Sequence, residues 1–287
     1  MANILVAGAR GGVGRQIVKE LFARNHHVRS LLRDKTRLDS FDERPNEIFV
    51  ADARDRAALN NSCENVEVVI STLGASLQLA LTKNKGDYWA VDYQANKNLL
   101  DVAVQAGVRK FIYVSTFGAE AMKGVAYFDA HAAFEQELKK LGLDYAILRP
   151  TGIFYIFEEF IKLARRGIIP LIGDGSARTN PVDEADLARL CVDAIDANWK
   201  EQDIGGPETF TRREIAEMCF QALGKKPRFI RYLVGVIKTM IQPVRWFDRR
   251  LYEFLAFGVL VNTVDVIAPA IGTNKLENYL RHLTAGD

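Results

Sequence analysis

A glycine-rich turn near the N-terminus has the residue types and the spacing that bind a pyrophosphate. Gly8, Gly11 and Gly14 directly follow the apolar residues 4–6 and open an amphipathic segment. This spacing serves a tight turn, a close approach of the backbone to phosphate, and close helix–strand packing. The start of the next helix adds free N–H groups and a partial positive charge. The turn therefore predicts a dinucleotide site made of Gly8, Ala9, Arg10, Gly11, Gly12, Val13 and Gly14.

The end of the second predicted strand indicates which dinucleotide binds. A carboxylate there hydrogen-bonds the ribose 2′-hydroxyl of NAD, whereas an arginine accommodates the 2′-phosphate of NADP. Arg33 occupies this position and Arg10 can reach the same region, while the neighbouring Asp34 favours NAD. The alternative for Arg33 is an ordinary solvated loop arginine. We expect NADP as the cofactor, with NAD as the other option.

The elements that must position these residues alternate between short apolar runs and longer amphipathic segments. Strands are predicted at residues 4–6, 27–32, 48–50, 66–70, 111–114 and 146–148, and helices at 13–24, 55–61, 88–106 and 128–141. Several strands are apolar at consecutive positions, which is typical of parallel strands covered on both faces. Because parallel neighbours need a crossover helix, the pattern predicts an α/β protein with a Rossmann-like, doubly wound parallel sheet. Ligands bind beyond the carboxyl ends of such strands.

After Pro150 the alternation changes. Helices are predicted at residues 183–197 and from Thr211, where Glu214 completes a capping box. Residues 229–260 are predicted to be helical, aromatic and basic. We expect one NAD(P)-binding domain over residues 1–287, in which segments 151–182 and 205–270 form a small, mainly helical cap on the substrate side.

Several motifs make the chain similar to atypical short-chain dehydrogenases/reductases of the NmrA-like kind. They are GARGGVGR, VRSLLRD, VISTLGAS, VDYQANKNLLDVAVQAGVRKFIYVST, LDYAILRPTGIF and NPVDEADLA, and GGPETFTRREIAEMCFQALGKKP continues the likeness. The resemblance implies that Asp52 lies near the adenine and that residues 71–75 follow the adenosine ribose and pyrophosphate. It places Tyr93 and Asn96 beside the nicotinamide end. The further predicted cofactor contacts are Ala53, Thr72, Leu73, Gly74, Ser115, His131, Pro150 and Thr151.

The same resemblance singles out three candidate catalytic residues. Standard members use a tyrosine acid, a lysine four residues later that lowers the tyrosine pKa, and an upstream serine that polarises the substrate carbonyl. Ser115 stands at the end of its strand, and Tyr127 and His131 have the tyrosine–lysine spacing with histidine in place of lysine. Histidine is a weaker fixed charge at neutral pH. The alternative is that Tyr127 is a loop aromatic and His131 a helix-surface residue.

Aromatic side chains around these positions predict the character of the substrate pocket. Phe154 and Tyr155 lie in the loop after Pro150, and Phe117 follows the fifth strand, with Trp246, Phe247 and Phe257 as further candidates from the cap. Apolar clefts with few polar groups are the usual form of small-molecule sites. We therefore expect a small apolar or flat aromatic substrate, the alternative being that these aromatics belong to the core.

Residues 225–250, called the basic segment below, carry eight lysines and arginines and a single acid, Asp248. Apolar and aromatic residues are interleaved with them. Such a segment can lie on an anionic membrane surface or on a partner protein. The commoner arrangement is a solvated basic face over a buried apolar stripe.

Composition excludes several classes of protein. A net charge of +2 gives no reason to expect nucleic acid as a partner. Three widely separated cysteines and four histidines match no zinc spacing and predict reduced thiols and no metal. The N-terminus shows no signal-peptide pattern, and no apolar run spans a bilayer, so a cytoplasmic location is expected. The composition does not predict an oligomeric state.

Three functions are compatible with these observations. The first is an NADPH-dependent reductase of a small apolar substrate. The second is a dinucleotide-binding sensor or assembly factor without turnover, which stays open because the lysine is missing. The third is a nucleotide-sugar epimerase, whose members share the glycine spacing but normally keep the tyrosine–lysine pair.

Overall fold

The structure, a computed structural model, describes residues 1–34, 44–75 and 87–285. Its centre is a sheet of seven parallel strands: β1 (Asn3–Ala7), β2 (His27–Leu32), β3 (Glu47–Val50), β4 (Val68–Ser71), β5 (Lys110–Val114), β6 (Asp144–Pro150) and β9 (Glu201–Ile204). Their order is β3-β2-β1-β4-β5-β6-β9. The chain first adds β2 and β3 on one side of β1 and then adds β4 and the later strands on the other side, so the strand order reverses between β1 and β4. The doubly wound α/β prediction is confirmed.

Helices cover both faces of this sheet. They are α1 (Gly12–Ala23), a π-helical segment (Trp89–Ala95) continued by α2 (Asn96–Gln105), α3 (Ala126–Lys140) and α5 (Glu184–Asp193). One apolar layer packs α1 and α5 against the sheet, and the other packs α2 and α3 against the opposite face. Since β1, β4, β5 and β6 are buried from both sides, their apolar residues run consecutively, which is why the sequence pattern identified them.

A third apolar cluster lies beside the sheet. It contains α4 (Glu158–Arg165), β7 (Ile169–Ile172), α6 (Arg212–Ala222) and α10 (Leu276–Thr284). The short strands β8 (Arg178–Thr179) and β10 (Phe210–Thr211) pair in an antiparallel arrangement, and β10 leads directly into α6. The capping box predicted at the start of α6 is present, because Thr211 accepts from the Glu214 backbone and the Glu214 carboxylate accepts from the Thr211 backbone.

The predicted helix over residues 229–260 is wrong at its start. Residues Phe229–Tyr232 form strand β11, which pairs in parallel with β7. Helices α7 (Val234–Ile241), α8 (Val244–Phe247) and α9 (Arg249–Val261) follow it. The predicted helix at 55–61 is also reduced to one 3₁₀ turn, Ala57–Leu59. No helix in the described ranges is long and apolar enough to cross a membrane.

Helix α9 lies against α3 and brings the C-terminal helices to the carboxyl edge of the sheet. The Phe257 ring lies 4.7 Å from that of Tyr127 and 5.8 Å from that of Phe128. Arg250 of α9 reaches Asp87, at 3.5 Å, near the start of the π-helical segment. These contacts cover Tyr127 on its outer side.

Candidate functional site

A cleft of about 420 Å³ opens at the carboxyl edge of the sheet, at the reversal between β1 and β4. It brings together residues 10–14 of the glycine turn, residues 72–75 after β4, and the side chains of Ser115, Tyr127, His131 and Tyr155. Residues that are far apart in the sequence therefore meet where a doubly wound sheet binds its ligand.

The glycine turn has the geometry of a phosphate cradle. Gly8 has a φ of +79°, and a Cβ on Gly14 would lie 2.2 Å from the Gly8 carbonyl oxygen, so neither position accepts a side chain. Gly11 caps α1 without a side-chain hydrogen bond, and the first turn of α1 has no acid. The N–H groups at this end are therefore oriented for an anion, as a bound pyrophosphate requires. Ala9 is fully buried beneath the turn.

Two arginines and a carboxylate lie together at the end of β2. Arg10 donates to both oxygens of Asp34, at 3.1 and 3.3 Å, and Nε of Arg33 lies 3.9 Å from the same carboxylate. The Arg33 side chain is 64% exposed. The position that selects between NAD and NADP thus holds a carboxylate, which favours NAD, and two arginines, which favour NADP, with Asp34 between Arg10 and Arg33.

Asp52 and Ala53 follow β3 at the same corner of the sheet. A side-chain hydrogen bond from Arg54 lowers the pKa of Asp52, and Arg33 contributes from nearby. Ala53 is buried, and its carbonyl accepts from the Asn98 amide at 3.0 Å. Their assignment to the adenine end stays a prediction.

The residues after β4 are held by hydrogen bonds to β1 and to Asn96, the first residue of α2. Thr72 donates through Oγ1 to the Ala7 carbonyl at 3.1 Å, which joins β4 to β1. Buried Asn96 accepts from Ser71 at 2.6 Å and donates to the Leu73 carbonyl at 3.1 Å. This bracing fixes the wall formed by Thr72, Leu73 and Gly74.

His131 is buried, with Nδ1 in a hydrogen bond and Nε2 near a carboxylate oxygen, Oδ1 of Asp92, that has no well-aligned hydrogen-bond partner among the described residues. Nδ1 lies 2.6 Å from the Tyr113 hydroxyl, and Nε2 lies 3.2 Å from Oδ1 of Asp92. Both partners are fully buried, and His131 is 4% exposed. Burial raises the pKa of Asp92, while His131 acts in the opposite direction. His131 therefore belongs to a buried Asp92–His131–Tyr113 chain on the cleft wall and is no helix-surface residue.

Tyr127 lies in the first turn of α3, with its ring 4.7 Å from that of His131 at 71°. Burial raises the pKa of Tyr127, and the Asp92 carboxylate adds to this effect. A lysine beside the tyrosine would lower this pKa, so the electrostatics differ from those of the standard pair.

Ser115 is tied to a buried ionic network. Its hydroxyl donates to Oε1 of Glu135 at 2.6 Å, and Glu135 accepts from Arg149 through both oxygens, at 2.9 and 2.5 Å. Arg149 also binds Glu201 of β9. Because the serine proton goes to Glu135, Ser115 presents an acceptor to the cleft, which differs from the donor that polarises a carbonyl.

Several predicted contacts lie outside the cleft lining. Phe154 is 1% exposed and packs on Tyr279 in the third cluster, because successive side chains of the 3₁₀ turn at Phe154–Phe157 point in different directions. Thr151 instead donates to the Asn180 carbonyl at 2.7 Å. Phe117, Pro150, Trp246 and Phe247 do not line the cleft either. Tyr155 does line it, and burial raises its pKa to about 12.

Asp92 and Glu184 are two buried acids at or near the cleft that no sequence motif singled out. Glu184 begins α5 and is 8% exposed, and its Oε1 lies 3.6 Å from the position that a Cβ on Gly12 would occupy. Its Oε2 has no hydrogen-bond partner among the described residues. Burial raises the pKa of Glu184 to about 7, with contributions from the charges of Asp183 and Glu158. In sequence it is an ordinary first-turn acid.

The fold and the cleft define a dinucleotide-binding protein of the Rossmann type. The sequence profile of a family described as NAD(P)H-binding matches residues 8–198, and the chain belongs to this family. The resemblance to atypical short-chain dehydrogenases/reductases of the NmrA-like kind is thereby confirmed. Within the described residues no cluster of three or more metal-ligating side chains occurs.

Curated relatives include enzymes and an assembly factor. The chain is 29% identical over 266 residues to the chloroplastic divinyl chlorophyllide a 8-vinyl-reductase of Arabidopsis thaliana, covering 83% of this chain and 62% of that protein. It spans less than two thirds of that enzyme's length. It is 26% identical over 297 residues to the Photosystem II assembly factor Ycf39 of Synechocystis sp., covering 97% of this chain and 90% of that one.

Solved structures share the fold. The NADPH-dependent quinone oxidoreductase QOR2 of Escherichia coli, complexed with NADPH, has a TM-score of 0.73 at 18% identity, over 98% of this chain and 99% of that one. The UDP-glucose 4-epimerase of Thermus thermophilus, complexed with NAD, has a TM-score of 0.67 at 22% identity, over 80% and 86%. At these identities the likeness shows the fold alone.

Proposed function

We propose that the protein is an NADP(H)-dependent reductase of a small, flat, apolar substrate. The observation that carries the proposal is the buried Asp92–His131–Tyr113 chain, which lies on the cleft wall next to Tyr127. Buried titratable groups in contact with one another inside a cleft are typical of functional sites. The relative named as a vinyl-reductase supports the same reaction class.

The glycine turn and the start of α1 would hold the pyrophosphate, and Arg10 with Arg33 would hold the 2′-phosphate. Bound NADPH supplies a hydride. The chain's own part begins with Tyr127 on the cleft wall, whose ring is supported from behind by edge-to-face contacts with the rings of Tyr88 and Phe257, at 5.4 and 4.7 Å. Such a wall excludes water and suits a flat apolar molecule.

Tyr127 would donate a hydrogen bond to the substrate oxygen, or to another substrate atom that gains negative charge during reduction. Because burial and Asp92 disfavour its tyrosinate form, the hydroxyl stays protonated through neutral pH. It therefore serves as a fixed hydrogen-bond donor. Asp92 and Tyr113 hold the His131 ring from both sides, and that ring in turn positions Tyr127.

The test is NADPH oxidation with a panel of quinones and enones. We expect turnover in the wild type and a loss of about a hundredfold in kcat for Tyr127→Phe, since a positioned donor contributes about this much. Tyr145→Phe, on β6 beside Lys200, is the matched control and should keep full activity. Turnover that survives Tyr127→Phe would contradict the role of Tyr127.

A non-catalytic assembly factor is the second candidate, and one observation favours it. The Ser115 proton is held by Glu135, and a histidine stands in the lysine position, so two of the three standard catalytic groups are altered. The likeness to the assembly factor also extends over nearly the whole chain. Tight NADPH binding without turnover of any panel substrate, with unchanged NADPH affinity in Tyr127→Phe, would favour this function over the reductase.

A further inference from the structure

The basic segment exposes its apolar side chains. If its apolar stripe were buried, Trp246 and Phe247 would lie in the core, but they are 76% and 89% exposed. The other exposed apolar side chains of the segment are Ile230, Tyr232, Leu233, Val236 and Met240. A large exposed apolar patch on a folded protein marks a binding surface.

The exposed side chains share one side of a packed helix. Leu233, Val236 and Met240 recur at the three- and four-residue spacing of a single helix face. The opposite side of α7 is already covered, because Ile241 is buried and α7 packs against α8 and α9. The helix therefore already packs into the protein through its other side, and the outer apolar face is not part of the core. Helix α8, next to α7, adds Trp246 and Phe247.

The charges of the segment identify what this face can bind. All eight of its lysines and arginines are exposed, in a chain whose total charge is only +2. Within the described residues, Arg228, Arg231, Lys238 and Arg245 form no ion pair. A second copy of the same face would bring like charges together, which costs binding energy. The partner surface is therefore anionic.

We infer that the basic segment binds the surface of an anionic membrane. Trp and Phe side chains enter the boundary between headgroups and acyl chains, while lysines and arginines contact anionic headgroups from the rim. The segment combines the two in one short stretch: Trp246 and Phe247 lie beside Arg245, Arg249 and Arg250. This arrangement lies flat on a bilayer and does not cross it.

Sedimentation with lipid vesicles tests the inference. The full chain should bind vesicles of phosphatidylcholine mixed with phosphatidylglycerol and should bind phosphatidylcholine vesicles far more weakly. Added salt should weaken the binding, because it screens headgroup contacts. Emission from Trp246 should shift to shorter wavelength on binding, and the shift should be absent in Trp246→Phe. A folded protein that does not sediment with anionic vesicles would overturn the inference.

Two variants separate the contributions of the surface. Trp246→Ser with Phe247→Ser, and Arg231→Glu with Lys238→Glu, should each weaken vesicle binding by about tenfold or more. Val104→Ser with Lys19→Glu changes exposed residues elsewhere and should bind as the wild type does. Circular dichroism verifies that each variant is folded. Equal binding by all folded variants would overturn the inference.

Size-exclusion chromatography and an acidic polypeptide distinguish the other partners. A concentration-dependent dimer that Trp246→Ser with Phe247→Ser abolishes would assign the face to self-association and overturn the membrane proposal. Binding to polyglutamate without binding to anionic vesicles would assign it to an acidic protein. A monomer that binds only the anionic vesicles would support the proposal.

Discussion

A histidine in place of the expected lysine changes what surrounds the candidate tyrosine. The His131 ring is hydrogen-bonded to Tyr113 through Nδ1, and its Nε2 lies 3.2 Å from the buried Asp92 carboxylate. The spacing of Tyr127 and His131 was visible in the sequence. Their partners were not, since Asp92 and Tyr113 come from two other elements and nothing in their local pattern marks them. The sequence also could not show that Phe154 lies in the core while Tyr155 lines the cleft, because the 3₁₀ turn that contains both residues determines where each side chain points.

The proposed preference for NADP(H) rests on Arg33 and Asp34. Arg33→Ala should weaken NADPH binding by about tenfold and leave NADH binding nearly unchanged, because a charge-assisted contact to the 2′-phosphate is lost. Asp34→Asn should strengthen NADPH binding, since it removes the Asp34 carboxylate that competes with the 2′-phosphate for Arg10. Calorimetric titration of both cofactors measures these effects. Arg109→Ala, at an exposed ion pair with Asp196, is the control. An equal loss for both cofactors in Arg33→Ala would contradict the assignment.

At the scale of elements, local patterns predicted six of the seven strands of the sheet and its crossover helices, but not the edge strand β9, whose residues 201–203 are polar. Runs such as residues 111–114 are apolar throughout because they are covered on both faces. The pairing of β7 with β11 was missed because each strand is short and its partner is far away in sequence. Residues 229–232 alone do not differ from the start of an apolar helix, so the helical prediction extended over them.

The start of α5 carries a pH-dependent effect through Glu184. The folded state holds its pKa at about 7, above the ordinary 4.5 that applies in the unfolded chain. As pH rises from 4.5 to 7, the unfolded chain ionises first, so the free energy of unfolding falls, by about 3 kcal/mol in all. The stabilisation is fully present below pH 4.5 and is lost above pH 7.

Glu184→Gln should remove this slope, because an amide does not titrate in that range. Urea unfolding of the wild type and the variant at several pH values measures it. Glu64→Gln, at an exposed glutamate, should keep the wild-type slope. A slope that is unchanged in Glu184→Gln would show that another group causes the pH dependence.

At the scale of the whole molecule, the cleft and the basic segment are linked by α9. Phe257 of α9 covers Tyr127, and the basic segment ends in the first turn of the same helix. A membrane-bound segment would therefore bring the cleft close to the bilayer, where apolar substrates concentrate. The sequence indicated the composition of this region but not its exposure, which depends on how α7 packs on α9.

The central claim is that the glycine turn binds the dinucleotide. Isothermal titration calorimetry of the wild type and of Gly11→Val tests it most directly, since a valine side chain would occupy the pyrophosphate space. Gly11 has a φ of −67°, outside the left-handed region, and among the described residues a Cβ there would meet the Gly8 carbonyl oxygen at 3.3 Å, a close contact, so circular dichroism verifies that the variant is folded. We predict one NADPH per chain in the wild type and no measurable binding in the variant. A folded Gly11→Val protein with wild-type NADPH affinity would contradict the account.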